Sequence, residues 1–182
     1  MKRYRHSIWG ICICVFLITT LLLISIPWHR AIASTLIWGL GSQSEQVSRA
    51  SAFFLGNIKG DPKMIVPALL RCLKDQRASV REMTAASLGH IRQDPEQVVP
   101  ALLATIDTET NGSLVPIYAL NAIGVFGADA KPWSPILVQM VESNRFGYWS
   151  GSALNALHKI DPEADARLVQ KRESMHNTPS AK

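Results

Sequence analysis

The sequence predicts an all-α protein, a right-handed α-solenoid of stacked helical hairpins preceded by one transmembrane helix. Three observations carry this expectation. The phrase Asp-Pro, three residues, Val-Pro-Ala-Leu-Leu starts at Asp61 and again at Asp94, 33 residues later. A second echo, Leu-Gly-x-Ile or a close variant, occupies Leu55 to Ile58, Leu88 to Ile91 and Ile123 to Phe126. A period of roughly 20 to 50 residues is the mark of stacked repeats. Third, Ser7 to Trp28 contains no charged residue.

The N-terminal segment comes first. Lys2, Arg3 and Arg5 lie in a basic stretch, residues 1–7, before an apolar segment, residues 8–28. At about 1.5 Å per residue that segment makes about 31 Å of helix, enough to cross the hydrocarbon of a bilayer. Trp9 and Trp28 near its ends suit the interfacial belts. The preceding basic residues set the N-terminus in the cytoplasm and the remainder outside it, the arrangement of a single-pass signal-anchor. Ala31-Ile32-Ala33 resembles a small-residue cleavage site. The apolar run is longer than that of an ordinary signal peptide, however, and a cut after Ala33 would fall at the start of the first repeat.

A repeat domain is expected over residues 31–173, as about four helix pairs and a C-terminal helix. Stepping back 33 places from Leu69, Leu70 and Leu73 reaches Leu36, Ile37 and Leu40, so Ala33 to Gly41 reads as a first helix without the prolines. In the next units Asp61, Asp94 and Asp161 read as N-caps, each followed by a proline at the first helical position. Gln97 completes a capping box with Asp94. Pro67, Pro100 and Pro135 recur further along. Either the helix runs through them with a shared bend, at a cost of about 3 kcal/mol each, or it restarts near Val66 after a separate turn. In the second helices Val80, Met83, Thr84, Ser87, Leu88 and Ile91 form one continuous face. The small residues Ala85, Ala86, Ser87, Ala119, Ala122, Ala153 and Ala156 allow neighbouring helices close approach. Gly56, Gly89 and Gly124, one per unit, read as close packing or helix termination. Residues 174–182 have little to pack and read as a disordered tail.

Val66 to Ile91, VPALLRCLKDQRASVREMTAASLGHI, resembles a HEAT repeat of the short bacterial type found in phycocyanobilin-lyase-like proteins. Asp75, Val80, Arg81, Ala85, Leu88, Gly89 and Ile91 carry the likeness, which extends from Ala33 to about Arg172 and weakens at both ends. Where that family places Val-Arg, this chain has Val47-Ser48, Val115-Pro116 and Trp149-Ser150, so an Asp/Arg ladder cannot run through the array. Arg81 with Asp75 then reads as a local ion pair of small net value. The structural signature of the repeats is Pro67, Asp75, Arg81, Gly89, Pro100, Gly124 and Pro135. The resemblance implies a protein-binding scaffold; its lyase members give an alternative, an accessory subunit handling a bilin. A third reading is an assembly factor for a membrane complex.

Composition narrows the function. Nineteen basic and fourteen acidic residues give a net charge of +5. Setting aside Lys2, Arg3, Arg5 and Arg30 leaves the remainder nearly neutral, and no basic face with interleaved aromatics points to nucleic acid. Arg71, Lys74, Arg77, Arg81 and Arg92 cluster in one repeat, but Asp75 and Glu82 among them make a solvated edge. Cys12 and Cys14 fall in the apolar segment, leaving Cys72 without an internal disulfide partner. His6, His29, His90, His158 and His176 are scattered, with no zinc-protease motif and no carboxylate at ligand spacing. The expectation is a non-enzymatic protein without cofactor or metal.

Two features remain for partner binding. Asn121 and Asn155 hold the same register of consecutive second helices, the layer that lines the concave face of a HEAT array, and suit either contact with an extended peptide or an inter-helix hydrogen bond. Trp133, Phe146 and Tyr148 flank loops and read as an exposed aromatic patch, while Trp149 aligns with Val80 and Val115 as core. The sequon Asn111-Gly112-Ser113 lies in a loop and is common by chance. The expected partners are an unidentified protein and, through Ile8 to Trp28, the membrane.

Overall fold

The structure, a computed structural model, describes residues 28–110, 112–143 and 149–176. Residues 1–27, which carry most of the expected transmembrane segment, lie outside these, as do Asn111, Phe146, Tyr148 and residues 177–182. The described residues form helices α1 (Trp28–Leu40), α2 (Glu45–Asn57), α3 (Pro62–Cys72), α4 (Ala78–Ile91), α5 (Pro95–Thr108) and α6 (Val115–Phe126). A 3-10 turn, Gly127–Trp133, then leads into α7 (Ser134–Glu142), α8 (Ser150–Ile160) and α9 (Pro162–His176). Consecutive helices pair into four hairpins, and α9 closes the row. Among the described residues there is no strand, and no helix is long and apolar enough to cross a membrane.

The core is the repeat written out in space. Leu69, Leu102 and Leu137 from the first helices, and Leu55, Leu88, Ile123 and Leu157 from the second, hold equivalent positions and are all fully buried. Each hairpin alone would leave one apolar side wet; stacking buries it against the next, which is how such arrays gain stability. Trp149 is buried as its register predicts, and its indole Nε1 donates to the Ser113 carbonyl at 3.1 Å across the preceding unit.

The three Asp-Pro starts differ. Asp61 caps α3, its carboxylate accepting the Lys63 amide at 3.0 Å. Asp161 caps α9 through the Ala164 amide at 3.2 Å. Asp94 does not cap: it adopts a left-handed conformation, φ 52°, with no side-chain cap bond, so the expected Asp94 cap and its box with Gln97 do not form. Arg92, also left-handed at φ 50°, ends α4 two residues earlier and dictates this different entry. Helices α3 and α5 run through Pro67 and Pro100 without a restart. Both prolines are exposed, as are Lys63 and Glu96 four residues before them, so water can satisfy the carbonyls that the missing amides leave. Pro135 instead stands in the first turn of α7, where a proline has no bond to lose.

The boundaries shift outward. Helix α1 is already formed at Trp28, the first described residue and five before the expected Ala33, and α9 continues to His176, into the expected tail. Ala164 and Leu168 give α9 a buried side that carries its register onward.

Candidate functional site

The second helices stack closely because one glycine per unit admits the next helix. A Cβ placed on Gly56 would stand 2.6 Å from the Ser87 Cβ, and one on Gly89 would stand 2.9 Å from the Ala122 Cα and Cβ. On Gly124 it would stand 3.3 Å from the Ala156 Cα. All three glycines lie inside their helices, so packing is their role; the glycine that ends a helix is Gly127, at φ 58° after α6. Ser87 fits this tight seam by donating its hydroxyl to the Ala52 carbonyl at 2.8 Å.

The first helices lie further apart. A groove of about 350 Å³ separates α1 from α3 and one of about 520 Å³ separates α3 from α5. Another of about 330 Å³ lies between α7 and α9. Rows that touch on one side and gap on the other curve toward the touching side, which makes the second-helix layer the inner face.

Along that inner face one register carries Phe53, Ala86, Asn121 and Asn155 on successive helices, and the neighbouring register carries Ala50, Met83, Tyr118 and Ser152. Phe53, Tyr118, Asn121 and Asn155 are exposed. No hydrogen bond joins Asn121 to Asn155, so the inter-helix pair that the sequence also allowed does not form. Trp133 is half-buried and packs against the core, so it belongs to the packing and not to an exposed patch. Phe146 and Tyr148, the other members of the expected aromatic patch, lie outside the described residues. Register alone would have found Phe53 and Tyr118, but their exposure depends on what lies opposite.

The turn edge holds the polar groups. Arg77, and not Arg81, pairs with Asp75: its guanidinium meets the carboxylate through two hydrogen bonds of 2.8 and 2.9 Å. It then reaches back to the preceding turn, donating to the Ser42 carbonyl and to the Ser48 hydroxyl, each at 3.1 Å. Arg81 donates to the Asp75 carbonyl at 2.7 Å and, forward into the next turn, to the Glu109 carboxylate at 2.7 Å. Two arginines thus tie three consecutive turns. Glu109 did not stand out in the sequence, and Arg77 was read only as part of a solvated edge, because the contacts that tie one turn to the next join residues 28 to 35 positions apart.

These contacts set the charge states. Hydrogen bonding from Arg77 holds the Asp75 carboxyl below its ordinary range against a smaller opposing effect of burial. Burial acts to raise the Glu109 carboxyl, but hydrogen bonds from Arg81 and Ser113 and the Arg81 charge together bring it down. Asp161 behaves likewise: burial opposes ionisation, while the Ser134 hydroxyl at 2.9 Å, the Ala164 amide and the Lys131 charge favour it. Burial, with Asp75 nearby, pushes the Cys72 thiol up, which keeps it protonated and a poor nucleophile.

Among the described residues no group of three or more His, Cys, Asp or Glu is arranged to hold a metal ion. His158 hydrogen-bonds Asp165 at 2.9 Å, linking α8 to α9, and His90 is exposed at the end of α4. In the groove between α3 and α5, Glu109 is paired with Arg81 and Asp75 with Arg77.

The architecture is that of a helical-repeat protein whose inner layer is its continuous surface. Residues 33–115, from α1 to the start of α6, match the family model of HEAT repeats. That match supports a HEAT-repeat protein, a class that generally mediates protein–protein interaction or scaffolding and is typically non-enzymatic. No curated protein matches the chain.

Proposed function

We propose that this chain is a membrane-anchored HEAT-repeat scaffold that holds a polypeptide partner along its second-helix layer and performs no chemistry itself. The observation that carries the reading is the exposed row Phe53, Tyr118, Asn121 and Asn155 on the tightly stacked inner face. Exposed amides beside aromatic rings suit an extended backbone: each amide offers one donor and one acceptor group, and the rings supply apolar area at low entropic cost. The apolar run from Ile8 to Trp28 supports the anchor, with the basic residues before it favouring an extracytoplasmic repeat domain. Ala33 is buried within α1, so cleavage there would remove about one and a half turns of that helix, which favours a retained segment.

A photo-crosslinking amino acid at position 121 or 155 of the full chain, followed by identification of the joined polypeptide, tests the surface. The double variant Asn121→Ala, Asn155→Ala is then expected to lose capture of that polypeptide while keeping its helicity and melting temperature. Undiminished capture by the double variant rejects the inner face as the binding surface.

A further inference from the structure

The two ends of the array are finished differently. At the C-terminal end α9 turns Glu163, Arg167, Gln170 and Lys171 to solvent, with Val169 exposed among them, a largely polar finish of the kind a solenoid needs in water. The N-terminal end has no such finish. Trp38 holds the register of Arg71 and Ala104, which line the grooves toward the preceding first helix. Val47 holds the register of Val80, Val115 and Trp149, all buried. Phe54 holds the register of Ser87, Ala122 and Ala156, the small residues that lie against the preceding unit's glycine. Among the described residues no unit precedes the first, and these side chains are 84 %, 47 % and 50 % exposed, with Trp28 and Ile32 exposed beside them.

We propose that this N-terminal end face lies on the phospholipid surface, with Trp38, Val47 and Phe54 in the headgroup region of the bilayer that Ile8 to Trp28 spans. The inference rests on the anchor reading and deepens it. Two features choose lipid over another helical unit. Phe54 fills the position that must be small for a second helix to stack at the spacing seen in the rest of the array. Also, the apolar run of the sequence ends at Trp28, the first described residue of α1, so the two adjoin in sequence. The docked arrangement has α1 running along the surface, because Trp38 lies about 15 Å along α1 from Trp28 and reaches the interface only in that orientation. Tryptophan favours that depth, and an apolar helix face settles about 5–10 Å into the headgroup boundary.

The test uses the full chain, with Cys12, Cys14 and Cys72 replaced by alanine, in vesicles of phosphatidylcholine and phosphatidylglycerol. An environment-sensitive fluorophore is attached at Trp38→Cys or Phe54→Cys, and for comparison at Gln170→Cys on the polar end. Brominated phosphatidylcholine is expected to remove about half of the emission at positions 38 and 54, as fits a shallow insertion, and none at 170. Emission at 38 and 54 that is open to aqueous iodide and untouched by bromolipid overturns the proposal. So does emission shielded from both quenchers, which would mean that a second copy or another protein covers the face. Extraction of the same vesicles with alkaline carbonate keeps the two readings apart. A chain released by carbonate refutes the anchor, whereas one retained in the membrane without bromolipid quenching refutes only the docked end face.

Discussion

Replacing Gly89 by alanine probes the seam on which the array depends. In an exposed helix interior the exchange stabilises by about 1 kcal/mol, because alanine loses less backbone entropy. At Gly89 the new methyl would meet the Ala122 Cα and Cβ at 2.9 Å. Neither atom can rotate away, since both are fixed to the α6 backbone, so α4 and α6 must separate. Overpacking of this kind costs about 1–3 kcal/mol and offsets or outweighs the propensity gain, for a net loss of up to about 2 kcal/mol. For a chain of this size the melting temperature should fall by up to about 8 °C. Gly56→Ala should be at least as damaging, since Ser87 Cβ and Cα lie at 2.6 and 2.8 Å. Gly124→Ala should be milder, because its nearest neighbour at 3.2 Å is the flexible Lys159 side chain. Gly151→Ala, on α8 with nothing within 4 Å, provides the exposed reference and should be neutral or slightly stabilising. Urea unfolding followed by far-ultraviolet circular dichroism ranks the four. If Gly89→Ala proves as harmless as Gly151→Ala, the stacking argument is wrong.

Two further outcomes follow from the turn edge. Arg81→Ala leaves the largely buried Glu109 carboxylate without its cation and should cost about 2–3 kcal/mol, whereas Arg81→Ala on a Glu109→Gln background should cost clearly less; equal costs in a double-mutant cycle would show that the pair is not coupled. Asp75, Glu109 and Asp161 have folded-state carboxyls held below their unfolded values. The stability they confer is present above the ordinary carboxyl range, about 4, and is lost as pH falls through the lowered folded values. Glu82, pushed up by burial with Glu109 beside it, acts in the opposite sense. The urea midpoint should therefore hold between pH 7 and pH 5 and drop by pH 3, and the deficit of Asp161→Asn relative to the parent should shrink over that drop. A deficit that grows on acidification contradicts the assigned charge state of Asp161.

How much of this was legible beforehand differs from feature to feature. The hairpins, the aligned leucines and the burial of Trp149 followed from a repeat visible to the eye. Asp61 and Asp161 cap as their local sequence suggests, and Asp94, with the same Asp-Pro, does not, because the left-handed Arg92 just before it sets a different approach. Asp75 finds Arg77 instead of Arg81, because the intervening turn brings the nearer side chain round and sends Arg81 forward to Glu109. Trp133 looks like a loop aromatic until the 3-10 turn folds it onto the core.

Periodicity reports on one chain segment at a time, so the sequence alone determined the class of architecture, the order of helices and which side of each is apolar. What one unit does to the next depends on distances of a few tenths of an ångström between residues some 33 positions apart. The role of the glycines as close contacts, the arginine ties between turns and the bare apolar end at Trp38 and Phe54 were therefore decided only in the tertiary structure. The same physics underlies both halves: apolar sides seek cover wherever they occur, but what covers them is fixed only when neighbours are in place.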